Sequence, residues 1–421
     1  MLGRTSLLRS TGLLRTLATA TTTTTKTAAA ASAGAKASAV QTTTLDNGVK
    51  IVALPRDGPL ASVGLVVGVG SAANAPVGSA ALLASAVFSG TAKRSNVLQV
   101  RKLEATGASV SSRLTRDALA IHAHVVDDKA GNALALMADG LVNCTFDAHD
   151  VADALETLAA SPVEPEQAAA DALFGTAFRY RGLGAPLAFT DAAKASLSPE
   201  AIADFAAAAV TPANVVVTGV GMDADALAAM AEPVLGGLAA NEATAAVAAV
   251  SAPYTGGEFV APLNGSGHAH GVVAFPVPGR ASPAAFASMV AAELVGETAP
   301  FYVNNEVSLL GAFFDGEDVA PAVAALKAAA KPDADALKAA KSRAKAAFLM
   351  SLESNQTALA FLGDAITASG SVLAPADVVK AIDAVDASAV AAVFKDAFAA
   401  KPTLLAVSDN LPAYADVVKA L

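Results

Sequence analysis

Tryptophan is absent from this 421-residue chain, cysteine occurs once, aromatic residues make up 5% and charged residues 16%. Each shortage removes a class of explanation. A single thiol, Cys144, rules out an intrachain disulfide and any multi-cysteine zinc or iron–sulfur site, so its simplest role is a small buried apolar side chain. The nucleophile-elbow pattern GxSxG and the phosphate loop GxxxxGK[ST] are also missing, and nothing marks Cys144 or any serine as an activated nucleophile. Acid is missing from the first 45 residues, which hold Arg4, Arg9, Arg15, Lys26 and Lys36, so the rest of the chain sets 23 bases against 38 acids. A body that acidic is unsuited to nucleic acid, because phosphate contacts need clustered Lys and Arg.

What is present is Ala, Val and Leu: 54% of the chain is hydrophobic. That favours Ala-rich helices packed on sheets, and the length suits two cores. On a helix, Leu2, Leu7, Leu13, Leu14 and Leu17 share one arc, with Arg4 and Arg15 opposite, Arg9 at the border and Leu8 the exception. This acid-free, Ser/Thr-rich, Arg-bearing start has the mitochondrial presequence pattern, so residues 1–40 are expected to be a presequence and spacer. No charge occurs between Asp57 and Lys93, yet Gly68, Gly70, Asn74, Pro76 and Gly78 divide that run into apolar pieces of about ten residues, each too short to cross a bilayer. A buried strand, a turn and a buried helix are expected there, with no transmembrane helix.

The order of elements occurs twice. Residues 48–70 read strand, turn, strand, with the turn at Arg56-Asp57-Gly58-Pro59, and residues 257–277 repeat this with a turn at Asn264-Gly265-Ser266-Gly267. We expect each to be a hairpin that leads into a helix, near Ser79 to Ser89 and near Pro283 to Leu294. Each half closes with a capped helix and an apolar strand: Ser198-Pro199-Glu200 before 214–220, and Asp386 before 403–407. A shift of 188 residues lays Val216 on Leu404, whereas the opening turns at Gly58 and Gly267 differ by 209, so the second copy is shorter inside. The shortfall is expected between Val295 and Gly311. The fold class expected is α+β, with two homologous domains at 41–232 and 257–421, each a mostly antiparallel sheet packed with helices, joined by a linker at 233–256.

Specific residues then carry a resemblance. The segment from Gly78 through Gly90-Thr91-Ala92-Lys93-Arg94-Ser95, the pieces Leu103-Glu104 with Gly107-Ala108 and Thr115-Arg116-Asp117, and in the second half 349–354 and 381–385, resemble the pitrilysin-type M16 peptidases. That family includes the mitochondrial processing peptidase and the core proteins of respiratory complex III, and the resemblance covers about residue 42 to the C-terminus. It implies the LuxS/MPP-like metallohydrolase fold. In the family an HxxEH helix presents two His to one zinc, and the intervening Glu takes a proton from the metal-bound water. On the register set by Gly78 and Gly90-Thr91 those places hold Ala81, Ala84 and Ser85. The third ligand of the family, a downstream Glu, would fall around 160–164; Glu164 and Glu166 stand nearby and read as solvated helix charges. The expectation is therefore no catalytic residue, no metal ligand and no cofactor.

The five histidines leave no obvious replacement. His122-Ala123-His124 and His268-Ala269-His270 each put two imidazoles on one face of a strand, but without a third ligand they read as polar strand faces or interface contacts. His149 reads as exposed and Asp127-Asp128 as a turn. The resemblance implies a non-catalytic, matrix-facing subunit of a dimeric cytochrome bc1 complex, pairing with a core 1-type subunit and held among cytochrome b, cytochrome c1 and other subunits. The alternative it leaves open is the non-catalytic subunit of the processing peptidase, for which it implies a long glycine-rich loop; the Gly pairs at 236 and 256 are isolated.

Overall fold

A computed structural model describes residues 39–241, 247–262, 268–296 and 299–409, with Tyr414 and Val417. The expected presequence and most of the expected spacer, the expected turn at 264–267 and residues 297–298 lie outside the described residues. The first half runs β1 (Gln41–Thr44), β2 (Lys50–Leu54), β3 (Leu60–Val67), α1 (Ser79–Ser85), α2 (Asn96–Ala105), β4 (Ser109–Leu114), β5 (Leu119–Val126), α3 (Ala130–Val142), α4 (Ala148–Ala160), α5 (Pro165–Phe178), α6 (Asp191–Ser196), α7 (Pro199–Ala209), β6 (Val215–Val220) and α8 (Ala224–Leu235). The second runs β7 (Gly257–Ala261), β8 (His270–Pro278), α9 (Ala285–Val295), β9 (Phe301–Tyr302), β10 (Val307–Asp315), α10 (Ala320–Ala329), α11 (Ala334–Ser351), α12 (Asn355–Ser369), α13 (Pro375–Ala384), α14 (Ala387–Ala399) and β11 (Thr403–Val407).

Local chemistry accounts for the helix starts. Ser198 and Asp386 each accept a hydrogen bond from the third backbone N–H of the helix they open, and Pro165, Pro199 and Pro375 sit in first turns, where their missing N–H has no intrahelical partner to lose. The uncharged run from 58 to 92 forms β3, a turn and α1, and no helix among the described residues is long and apolar enough to cross a membrane.

The expected hairpins are corrected by the sheet order. The sheets run β1-β2-β6-β3-β5-β4 and β7-β11-β8-β10-β9, so the closing strand of each half inserts between the two opening strands. β6 is parallel to β2 and antiparallel to β3; β11 is parallel to β7 and antiparallel to β8. The reason is burial: all six residues of β6 are buried, and a run apolar on both faces belongs at the centre of a sheet. The linker boundary also moves, because α8 continues through Pro233 to Leu235; the proline sits in the last turn, where only one ladder bond is lost. The second half is shortened where expected. α2 and β4 have no counterpart beyond the two-residue β9.

Strand alternation divides the first sheet between two cores. Ile51, Val63, Leu65, Ile121 and Val217 face the first-half helices, whereas Val52, Val66, Ala120, Val216 and Val220 belong to a core completed by Leu359, Leu362 and Ile366 of α12. Gly363 permits this close docking, since a Cβ there would lie 2.9 Å from Val66 Cγ2. The exchange is reciprocal. α5 lays Leu173, Phe174 and Ala177 against Val272, Ala274 and Leu309 of the second sheet.

Polar contacts pin the two halves. Asp364 on α12 takes both Nη atoms of Arg113 at 3.1 Å and Nη2 of Arg280 at 3.2 Å. Arg56, in the β2–β3 loop, donates to Leu352 O at 2.7 Å at the end of α11, and Asn305 N donates to Asp117 Oδ2 at 2.8 Å. Replacing Asp364 by Ala leaves two guanidiniums without their carboxylate and is expected to destabilise the chain by about 3 kcal/mol. Asp128→Ala, which removes only an exposed pair with Lys129, should cost under about 0.5 kcal/mol. Urea titration of both variants checks this, and equal midpoint shifts would discount the fork as a lock.

Candidate functional site

α1 starts at Gly78, held at φ 89°, where a side chain would meet the Phe189 ring. The helix buries Ser79, Ala80, Leu82 and Leu83 against its surroundings and packs on α4, α7, β4 and β5. Ala81, Ala84 and Ser85 are left half-buried, and the Ser85 hydroxyl donates to Leu82 O at 2.6 Å. Two methyl groups and a hydroxyl engaged with its own helix offer neither an imidazole nor a carboxylate base. The segment after α1 is fixed by acids from elsewhere. Asp150 accepts from Gly90 N at 2.9 Å and from Asn96 Nδ2 at 3.1 Å, and Arg94 pairs with Asp139.

Ala81 lines a cavity of about 650 Å³ that both halves enclose. Glu164 and Glu166 line it with Ala81, as do Arg113 of the first half and Arg280 and Tyr302 of the second. Ala81 and the expected third-ligand region thus line one chamber, while Ala84 and Ser85 are not among the residues lining it. Glu164 is exposed and precedes α5. Two lining residues are tied down: Arg116 Nη2 meets Asp171 Oδ1 at 2.7 Å, and its guanidinium carbon sits 3.8 Å from the centre of the Phe174 ring. Burial pushes the Arg116 guanidinium down, opposed by Asp171, and burial pushes the Tyr302 phenol up to about 12. Among the described residues no three His, Cys, Asp or Glu side chains gather as a metal site.

His122 and His124 lie on the β5 face covered by α12, an interface between the two halves. Their Nε2 atoms are buried without a hydrogen-bond partner, and His124 Nδ1 meets Ser62 Oγ at 2.7 Å. The Ser62–His124 pair is created by the β3–β5 register and has no local signature in the sequence. Ser62 is 2% exposed, which puts this hydroxyl out of reach of a substrate. His270 Nδ1 instead meets His268 O at 2.9 Å, His149 is exposed beside Asp153, Asp127-Asp128 form an exposed turn, and Cys144 is half-buried against the first core. Burial also pushes the Cys144 thiol up, away from the reactive thiolate.

Comparison with known proteins adds to this geometry. The model for insulinase (peptidase family M16) matches residues 51–191, and the model for the peptidase M16 inactive domain matches 196–313, so the two together span more than half of the chain. The chain is 26% identical over 415 residues to mitochondrial-processing peptidase subunit alpha-2 of Dictyostelium discoideum, covering 88% of this chain and 92% of that one. It is 26% identical over 399 residues to cytochrome b-c1 complex subunit 2 of Neurospora crassa, covering 86% and 87%. To the same-named subunit of Cryptococcus neoformans var. grubii it is 29% identical over 231 residues, covering 53% and 52%.

The buried imidazoles make a pH dependence. Burial, with Arg113 and His124 adding to it, pushes His122 down to about 4, and burial also lowers His124. The folded chain then holds His122 neutral where the unfolded chain protonates near pH 6.5, so stability is full above 6.5 and falls as the pH drops toward 4. His122 alone is expected to account for a loss of about 3 kcal/mol across that window. Urea midpoints at pH 7, 5.5 and 4.5 should show a flatter slope for His122→Gln than for the parent; parallel slopes would exclude the assignment.

Proposed function

The chain belongs to the M16 peptidase family, and we propose that it is its degenerate, non-catalytic core subunit 2 of mitochondrial respiratory complex III. The observation that carries the non-catalytic reading is α1, where half-buried Ala81, Ala84 and Ser85 hold the places that the resemblance assigns to two ligands and a base. Glu164 and Glu166 then face the chamber with no imidazole beside them, and a carboxylate wall alone does not select zinc. What remains is a rigid two-sheet scaffold whose helices lock across the halves. Such a body serves assembly and stability, on the matrix side of the inner membrane, pairing with a core 1-type subunit and reaching cytochrome b and cytochrome c1 through the complex.

A second reading is favoured by the match to the processing-peptidase alpha subunit of Dictyostelium discoideum, which is as extensive as that to the Neurospora crassa subunit. In that case the chamber binds presequences and presents them to a catalytic partner. Against it stands the absence from the sequence of the long glycine-rich run that the resemblance implies for such a subunit, since the Gly pairs at 236 and 256 are isolated.

Purified protein is expected to carry far less than one zinc per chain, and elemental analysis returning about one equivalent would overturn the reading of α1. A tagged chain extracted in mild detergent should co-migrate on a native gel with cytochrome b, cytochrome c1 and a core 1-type subunit. Recovery as a soluble heterodimer with an active zinc peptidase would establish the second reading instead.

A further inference from the structure

The internal duplication supplies a template for what each sheet edge carries. In the first sheet, β1 lies antiparallel along the outer edge of β2, and Ile51, Val52 and Ala53 of β2 are fully buried. The counterpart of β2 in the second sheet is β7, which is parallel to β11 as β2 is to β6. Among the described residues no strand pairs with the outer edge of β7. Phe259 and Val260, neighbours in sequence and so on opposite faces, are each 42% exposed. The chain that would supply a β1-like strand is led away: Ala249 bridges Ala73, Asn74 N donates to Ala248 O, and Val250 N donates to Ala72 O in the first half. Tyr414 lies by the Gly257 end of β7, where its hydroxyl donates to Pro402 O, and it leaves Phe259 and Val260 open.

Composition separates β7 from the other edges. β1 is Gln-Thr-Thr-Thr, β4 is Ser-Val-Ser-Ser-Arg-Leu and β9 has two residues, and none of them carries an exposed large apolar side chain. Polar, short or charged edges are how sheets stay unpaired; an edge with Phe and Val on its two faces and no Lys or Pro is built to pair. We propose that an extended, basic segment of a different polypeptide docks antiparallel to β7 and takes the place that β1 holds in the first sheet. Its backbone would complete the ladder, its apolar residues would cover Phe259 and Val260, and a Lys or Arg would meet the exposed Glu258. Charge argues for another chain over a second copy, since two bodies each with 38 acids against 23 bases beyond residue 45 repel.

The test is hydrogen–deuterium exchange of residues 257–261 in the isolated full-length chain and in the native assembly from which the tagged chain is recovered. The assembly is expected to slow β7 exchange by about tenfold or more. Equal exchange in both states overturns the proposal. So does an isolated chain that dimerises with β7 already protected, which would make a second copy the occupant. Phe259→Lys should keep the parent denaturation midpoint and enter the assembly at about a tenth of the parent yield, because a charge at a docked edge blocks pairing. Normal incorporation refutes the docking, and Val260→Lys, on the opposite face, serves if the first variant does not fold. The subunit composition of the assembly tests the core-subunit reading separately, since β7 protection does not depend on which assembly is found.

Discussion

The seating of α12 on the first sheet is the constraint from which the rest of the architecture follows. A sheet with apolar side chains on both faces needs two covers, and the first-half helices supply one. Leu359, Leu362 and Ile366 supply the other, at a distance set by Gly363, and the Asp364 fork to Arg113 and Arg280 fixes the register of that contact. With α5 crossing the opposite way onto the second sheet, neither half closes its core alone. The chamber between them therefore has walls whose positions are determined by buried packing.

That dependence explains the chamber's charge pattern. Arg113 and Arg280 line it but share one carboxylate, and Arg116 beneath them is tied to Asp171. The guanidiniums are thus mainly spent on holding the halves together. α1 serves as a packing element, with Leu82 and Leu83 buried and Ala81, Ala84 and Ser85 half-buried. Gly90 and Asn96 meet Asp150 and Arg94 meets Asp139, so the segment after α1 is fixed to α3 and α4.

Much of this was legible in the sequence because its causes are local. Ser198 and Asp386 announce helix starts within four residues, and the closing strands 215–220 and 403–407 stand out as short apolar runs. The helix expected between Gly78 and Gly90 is α1. What escaped was non-local. Alternation cannot say that β6 slides between β2 and β3, since the same pattern fits a simple hairpin. Nor could the His122-Ala123-His124 spacing reveal that a helix more than two hundred residues later would cover this face and bury His122, or that Ser62 would reach His124. Pro233 misled for the opposite reason: a strong local breaker was tolerated in the final turn of α8.

The shared core has a consequence for how the polypeptide is made. Val52, Val66, Ala120, Val216 and Val220 emerge early in vectorial synthesis, while the residues that cover them lie in α12, near position 360. Until that part of the chain arrives, the first sheet presents a bare greasy surface at the concentrations where nascent polypeptides stick to one another. The arrangement that makes the finished molecule rigid therefore also gives it a vulnerable childhood, during which a holding chaperone, or rapid delivery of the C-terminal half, decides between folding and aggregation.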